Sequence, residues 1–175
     1  MKTKITSFFF LFLILAIPSA FADKAHAVLQ RTDQPSEPSA VFGNMSFEET
    51  EEGLKIKADV FGTTSGKHGF HIHENGSCGN KGDDAGGHFN PEKAAHGLLT
   101  KDGLARAHAG DFGNIEIGPD GKGKFEGTFP ELSLTEGTGH NVLGKSVILH
   151  ANEDDFGQPT GNAGGRIACG IIEKK

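Results

Sequence analysis

Short runs in which apolar and polar residues alternate recur along the chain, and they predict β-strands. In the clearest run, residues 53–60, four apolar side chains alternate with charged ones, the pattern of a strand with one buried face. The predicted strands span residues 25–30, 40–47, 53–60, 69–73, 113–117, 123–129, 146–150 and 167–172. Glycine, asparagine, aspartate or proline bounds most of them, as is typical of turns. The pattern predicts an all-β protein, an eight-stranded antiparallel sandwich or barrel.

Residues 74–112 interrupt this pattern, because glycine, histidine, asparagine and aspartate dominate there and little alternates. A loop of about 40 residues is unusual in a compact domain unless something orders it. We expect a metal site or a disulfide to do so.

The N-terminal residues are typical of a secretory signal. Lys2 and Lys4 precede an apolar run over residues 8–17, and small residues ending at Ala22 follow. A membrane anchor is the alternative, but the apolar run is only about half of the roughly 20 residues that span a bilayer. We expect residues 1–22 to be cleaved, leaving one domain over residues 23–175 that is exported to the periplasm or the extracellular space.

Composition and charge narrow the function classes. The 175 residues, 35% of them hydrophobic, suit one folded domain. The net charge is −6, and removal of residues 1–22 takes away two lysines and no acid, which makes it −8. Such a surface repels nucleic acids and anionic membranes, so we expect neither as a partner.

The chain has two cysteines, Cys78 and Cys169. In an oxidising compartment an isolated pair usually bonds, and closing so long a loop stabilises the fold by about 4–5 kcal/mol in the chain-entropy model. Two free, buried thiols are the alternative.

Histidine is the compositional outlier, with nine residues. His71 and His73 lie two apart on a predicted strand and so share a face, and His150 ends another strand. The long loop adds His88, His96, His108 and Asp111. Imidazole suits copper and zinc, and a carboxylate suits zinc.

These seven residues predict a site for two ions. Two four-coordinate ions need eight ligand positions, so one imidazole must bind through both nitrogens, which requires loss of its second proton. The pattern does not say which one. A lone histidine is more often a surface or core residue, and we interpret His26, His68 and His140 in that way.

Several motifs, in order, resemble those of copper,zinc superoxide dismutase, and the match runs from about residue 25 to residue 172. They are residues 69–74 (GFHIHE), 87–91 (GHFNP), 96–97 (HG), 108–114 (HAGDFGN), His150 with Asp154 and Asp155, and 161–170 (GNAGGRIACG).

The resemblance implies a Greek-key fold that holds one copper and one zinc ion per subunit. By resemblance, the copper ligands are His71, His73, His88 and His150. The zinc ligands are His88, His96, His108 and Asp111, with His88 as the bridge. Asp154 resembles the carboxylate that links His71 to His96 behind the metals, and Cys78 and Cys169 match the family disulfide.

The resemblance also implies an activity, the dismutation of superoxide to dioxygen and hydrogen peroxide by a Cu(II)/Cu(I) cycle. His88 is then catalytic as well, because its freed nitrogen takes a proton. Arg166 resembles the residue that docks the anionic substrate, a task that suits a permanently charged guanidinium. The family also implies a homodimer, with a monomer as the alternative.

The loop at residues 155–161 departs from long-loop relatives, because it is short and has no lysine. A net charge of −8 repels an anion at long range, so steering depends on a local positive field. We expect this field to come from Arg166, with Lys81, Lys93 or Lys101, and to be weaker than in those relatives.

Two other functions compete with the enzyme. A non-catalytic copper-handling protein on the same fold would have lost a copper ligand or Arg166, and neither is lost. A zinc hydrolase needs an open zinc position and a general base, whereas Asp111 fills the fourth position.

Overall fold

The computed structural model describes residues 23–33 and 41–175. Its strands are β1 Lys24–Arg31, β2 Val41–Thr50, β3 Gly53–Phe61, β4 Gly66–His73, β5 Asp111–Ile117, β6 Lys122–Phe129, β7 Ser146–His150, β8 Arg166–Ile171 and β9 Glu173–Lys174. The predicted signal at residues 1–22, and residue 40 at the start of the second predicted strand, lie outside the described residues.

Eight strands close into an antiparallel barrel in the order β1-β2-β3-β6-β5-β4-β7-β8, and β8 returns to pair with β1. Strands β3 and β4 follow each other in sequence but do not pair, and the same holds for β6 and β7, so both connections cross an end of the barrel in the Greek-key manner. The short β9 adds to β1. The predicted eight-stranded all-β fold is confirmed.

Alternation along the strands builds the core. On β3 the residues Leu54, Ile56, Ala58 and Val60 are all buried, as their period of two requires. A cluster of phenylalanines fills the barrel beside them, with ring centroids 4.6–6.2 Å apart. Its members are Phe70, Phe112, Phe125 and Phe129.

Strand β4 departs from this alternation, because residues 68–73 are buried on both faces. Phe70 and Ile72 belong to the core cluster, so His71 and His73 lie on the outer face. That face is covered by residues 74–110, which contain a 3₁₀ segment, Asn80–Ala85, and a short helix α1, Leu99–Asp102.

A disulfide between Cys78 and Cys169 fastens this covering loop to β8. It closes a loop of 91 sequence positions. Within the described part of the chain, no helix is long and apolar enough to cross a membrane.

Candidate metal centre

Seven buried side chains meet on the outer face of β4. They form two groups of four, and within each group the potential ligand atoms lie within 4.8 Å of one another. The four-histidine group consists of His71, His73, His88 and His150. The histidine–aspartate group consists of His88, His96, His108 and Asp111. His88 belongs to both groups.

Strand pairing explains how distant residues reach one place. Strand β4 carries His71 and His73 on one face, and β7, which pairs with β4, ends at His150. His88 is drawn in by an isolated bridge to His73, next to a hydrogen bond from the Phe89 N–H to the Ile72 carbonyl (2.9 Å).

His73 and His150 have matching surroundings. The Nδ1–H of His73 donates to the Gly86 carbonyl (3.0 Å), and that of His150 donates to the Gly164 carbonyl (3.2 Å). Each ring therefore keeps an unprotonated Nε2, and the two Nε2 atoms lie 3.4 Å apart. Fixing the tautomer through the outer nitrogen in this way is typical of metal-ligating histidines.

The ring of His88 lies between the two groups. It stacks on His71 with centroids 4.1 Å apart. Its Nδ1 lies 2.8 Å from Asp111 Oδ1 and 3.4 Å from His108 Nδ1. Because the two nitrogens point to opposite sides of an imidazole, Nε2 is left to face the four-histidine group.

Asp111 is fully buried and anchors its group. Its Oδ2 accepts the N–H groups of Gly97 and His108, both at 2.9 Å. Burial raises the pKa of this carboxyl, but hydrogen bonds from His108, His88 and His96 lower it more, so its pKa falls well below the usual range. The carboxylate stays ionised, the form that binds a cation.

Asp154, at the start of the loop between β7 and β8, links the two groups from behind. Its Oδ2 accepts His71 Nε2–H at 2.8 Å, and its Oδ1 lies 3.0 Å from His96 Nε2. Gly161 covers it at φ 78°, and a Cβ there would collide with Asp154 Oδ1 and come within 2.7 Å of His96 Nε2. Burial raises the pKa of Asp154, yet hydrogen bonds from His71 and His96 outweigh this and lower it.

Two ring nitrogens test whether the site fits metal ions. Among the described residues, His71 Nδ1 is buried without a hydrogen-bond partner, as is His26 Nδ1 outside the site. Since His71 donates Nε2–H to Asp154, its Nδ1 carries a lone pair, and burying an unpaired acceptor is costly. His96 Nδ1 lies 3.0 Å from Asp111 Oδ2, close enough for one proton or one cation to lie between them. A cation in the four-histidine group satisfies the lone pair of His71, and a cation in the histidine–aspartate group takes the place of the proton between His96 and Asp111.

The donor sets match two different ions. Four imidazoles suit copper, whereas three imidazoles and a carboxylate suit zinc. The residues present therefore fit both metals.

Burial keeps most of these histidines neutral, which is the ligand form. It lowers the pKa of His71 to about 4, that of His73 to about 2 and that of His150 to about 3. The pKa of His88 is also lowered, mainly by burial.

His96 is the exception. Burial lowers its pKa, but hydrogen bonds with Asp111 and Asp154 outweigh this effect and raise it to about 9. A proton on His96 thus takes the place of a cation between two carboxylates, and an ion that binds Nδ1 competes with it.

Arg166 begins β8 at the edge of the four-histidine group. Its guanidinium donates to the carbonyls of Gly82 (2.6 Å) and Gly86 (2.7 Å). The carboxylate of Asp83 is 3.9 Å away and mostly exposed. Among the described residues, Asp83 is the one carboxylate paired with Arg166, and its exposure to solvent leaves the positive charge of the guanidinium only weakly compensated.

A cavity of about 180 Å³ opens beside this charge. His73, His88, His150 and Arg166 line it, together with Gly87, Thr160 and residues 162–164. Its size and charge admit a small anion to the exposed edge of the four-histidine group.

The structure brings together the seven predicted metal ligands, Asp154 and Arg166, whereas Lys81, Lys93 and Lys101 do not line the cavity beside the four-histidine group. It leaves His26, His68 and His140 outside both groups. His68 is buried and lies 2.8 Å from the His150 carbonyl, whereas His140 pairs with Glu92. The sequence interpretation did not include Asn114 and Gln158, whose carboxamides bond the backbone of Asp154 and of His96. A single carboxamide in a loop carries no sequence signal for such a contact.

A closed β-barrel with two histidine-rich groups that share one imidazole defines a dinuclear metalloprotein. Residues 41–172 match the family model described as copper/zinc superoxide dismutase. The chain belongs to this family: it is a superoxide dismutase, and its metals are copper and zinc.

Sequence relatives agree with this assignment. An extracellular Cu-Zn superoxide dismutase of Caenorhabditis elegans is 36% identical over 156 residues, which cover 85% of this chain and 68% of the relative. An extracellular Cu-Zn superoxide dismutase of Haemonchus contortus is 38% identical over 156 residues, 85% of this chain and 82% of the relative.

Solved structures share the fold. The clock protein EA4 superposes with a TM-score of 0.75 at 30% identity and covers 91% of this chain and 99% of its own. A superoxide dismutase-like protein of Bacillus subtilis superposes with a TM-score of 0.71 at 35% identity, over 83% of this chain and 95% of its own.

Proposed function

We propose that the four-histidine group holds copper and the histidine–aspartate group holds zinc, one ion of each per subunit, and that the protein converts two superoxide anions and two protons to dioxygen and hydrogen peroxide. The sharing of His88 by both groups carries this proposal. When bound, copper supplies the one-electron redox chemistry that zinc lacks.

The protein's own residues bind the substrate and supply a proton. The guanidinium of Arg166 attracts the anion into the cavity. Its hydrogen bonds to the Gly82 and Gly86 carbonyls keep the guanidinium in a fixed orientation there. His88 is the proton carrier, because its Nε2 faces this cavity while its Nδ1 stays in the histidine–aspartate group. Asp154 holds the rings of His71 and His96 in one orientation throughout.

Metal analysis and a superoxide-scavenging assay on the same samples test this proposal. The protein loaded with both ions should contain one copper and one zinc and should scavenge superoxide. His71→Ala should lose copper and activity, whereas His140→Ala, outside both groups, should keep both. A loaded protein that binds copper but does not scavenge would support the copper-handling alternative, and ester or peptide hydrolysis with zinc alone would support a hydrolase.

We further propose that residues 1–22 are a signal peptide and that the mature protein is exported. The extracellular names of the two nematode relatives support this. Expression of the full chain in a secreting host, followed by N-terminal sequencing, should give a mature protein that starts at Asp23. A cell-associated protein that still begins with Met1 would contradict the proposal.

For assembly we propose a homodimer. Multi-angle light scattering of the mature protein should give twice the chain mass. A single-chain mass at micromolar concentration would establish the monomer instead.

A further inference from the structure

Gln158 makes an unusual contact with His96. The His96 N–H donates to Gln158 Oε1 (3.0 Å), and Gln158 Nε2 donates to the His96 carbonyl (2.9 Å). One carboxamide thus occupies both backbone groups of one residue, as a paired strand residue does in an antiparallel ladder. Among the described residues, neither backbone group of His96 has another hydrogen-bond partner.

The loop between β7 and β8 consequently holds His96 at two points. Asp154 accepts from the ring, and Gln158, four positions later, bonds the backbone. The ring contact sets the orientation of the imidazole, and the backbone contact fixes where its Cα lies. Together they leave His96 Nδ1 aimed at Asp111, 3.0 Å from its Oδ2.

The same loop also forms a wall of the cavity, through Thr160 and residues 162–164. The contacts that fix His96 therefore also fix the position of this cavity wall. Gln158 is exposed, and among the described residues its side chain forms no hydrogen bond with any of the other metal-site side chains. Its effect should therefore be confined to His96 and the β7–β8 loop.

We propose that Gln158 is a positioning residue for the zinc site, which slows zinc release by pinning the backbone of His96 to the β7–β8 loop. The inference rests on the proposed zinc-binding role of the histidine–aspartate group. Because the two hydrogen bonds are partly exposed, they are worth about one typical net bond together, which corresponds to a change of roughly five- to tenfold in a rate or affinity.

The test measures the release of zinc from the copper- and zinc-loaded protein to a chromogenic chelator at neutral pH. Gln158→Ala and Gln158→Met should both release zinc about five- to tenfold faster than the wild type, while copper release changes less than twofold. The methionine variant keeps the length of the side chain and removes only the hydrogen bonds. Glu153→Ala is the matched control, because it removes another exposed side chain of this loop, one bonded to Lys67 instead; its zinc release should match the wild type.

Three results would overturn the inference: unchanged zinc release in both Gln158 variants, equal acceleration in Glu153→Ala, or copper released as much faster as zinc. His96→Ala separates this inference from the proposed function. If wild-type protein retains zinc and His96→Ala does not, the zinc site stands whatever Gln158 contributes. If the wild type retains no zinc, the proposed function itself fails.

Discussion

The Nε2 atoms of His73 and His150 lie 3.4 Å apart, and each ring donates its other nitrogen's hydrogen to a backbone carbonyl. Two lone pairs therefore face each other in a buried place. Neighbouring acceptors without a donor are unfavourable, and a cation between them removes the conflict. The fold thus holds this pair in a geometry that a metal ion stabilises.

Copper should accordingly raise the melting temperature of the protein through this pair. A ligand at about 1,000 times its dissociation constant stabilises the native state by about 4 kcal/mol. His150→Ala should lose the copper-dependent increase seen by calorimetry and keep the zinc-dependent one, because His150 belongs only to the four-histidine group. His140→Ala should keep both, and an undiminished copper increment in His150→Ala would disprove the assignment.

The metal-free protein should be most stable near pH 6.5. The native pKa values of His71, His73 and His150 are lowered to about 4, 2 and 3 by burial. Below pH 6.5 these histidines are protonated in the unfolded chain but stay neutral in the native state. The free energy of unfolding therefore falls as pH falls, by up to about 1.4 kcal/mol per pH unit for each histidine.

The alkaline side has the opposite cause. The pKa of His96 is raised to about 9, despite burial, by hydrogen bonds with Asp111 and Asp154. From pH 6.5 to 9 the native state keeps a proton that the unfolded chain loses, so stability falls as pH rises. Urea unfolding of the metal-free protein across pH 4–9 measures the free energy of unfolding on both sides of pH 6.5. His96→Gln should remove only the decrease above pH 6.5. A stability that rises steadily from pH 6.5 to 9 in the wild type would contradict this account.

Local periodicity was sufficient to predict eight strands and an all-β sandwich or barrel, but it did not decide between the two. The alternation in residues 53–60 is the buried face of β3, and each of the eight predicted strands overlaps a strand of the barrel. It did not predict β9, because two residues, Glu173 and Lys174, are too few to show a period.

The site was only partly predictable. His71 and His73 share a face by their spacing alone, but which imidazole is shared depends on how residues 74–110 fold back over β4. The contacts of Asn114 and Gln158 depend on the same long-range folding, since each bonds the backbone of a residue 40 or 62 positions away. Such contacts depend on tertiary structure, which local sequence patterns do not show. The role of Asp154 was predicted only because it matches a family motif, and Gln158, which lies outside the motifs, was not predicted.

Asp154→Asn should weaken both metal sites at once. Asparagine keeps the size of the side chain but offers one acceptor where His71 and His96 each need one. Loss of such a supporting carboxylate typically costs about 10- to 100-fold in metal affinity, which competition with a chelator measures. The neighbouring Asp155→Asn is the matched control, because the Asp155 side chain is exposed and, among the described residues, accepts hydrogen bonds only from Gly157 and Asn162. Equal losses in both variants would show that the effect is not specific to Asp154.

Arg166→Gln should lower kcat/KM without changing metal content. The guanidinium supplies the positive charge next to the four-histidine group, and glutamine removes it. Removal of a steering charge lowers association about tenfold or more at low salt. The kcat/KM of Arg166→Lys should lie between those of the wild type and Arg166→Gln. Lysine keeps the positive charge but has no planar group that can donate to both the Gly82 and the Gly86 carbonyl. Pulse radiolysis measures kcat/KM, and wild-type rates in Arg166→Gln would remove this residue from substrate binding.

Lys81 should contribute to steering, whereas Lys101 should not. Lys81 is exposed and lines a second cavity, of about 340 Å³, together with Arg166. Lys101 lies on the short helix α1. We expect Lys81→Gln to lower kcat/KM about two- to threefold at 0.01 M salt and to converge with the wild type at high salt, because the screening length falls from about 30 Å to about 3 Å between 0.01 and 1 M. Lys101→Gln should follow the wild-type salt dependence throughout. A steep wild-type salt dependence that Lys81→Gln leaves unchanged would assign the steering field to Arg166 without help from this lysine.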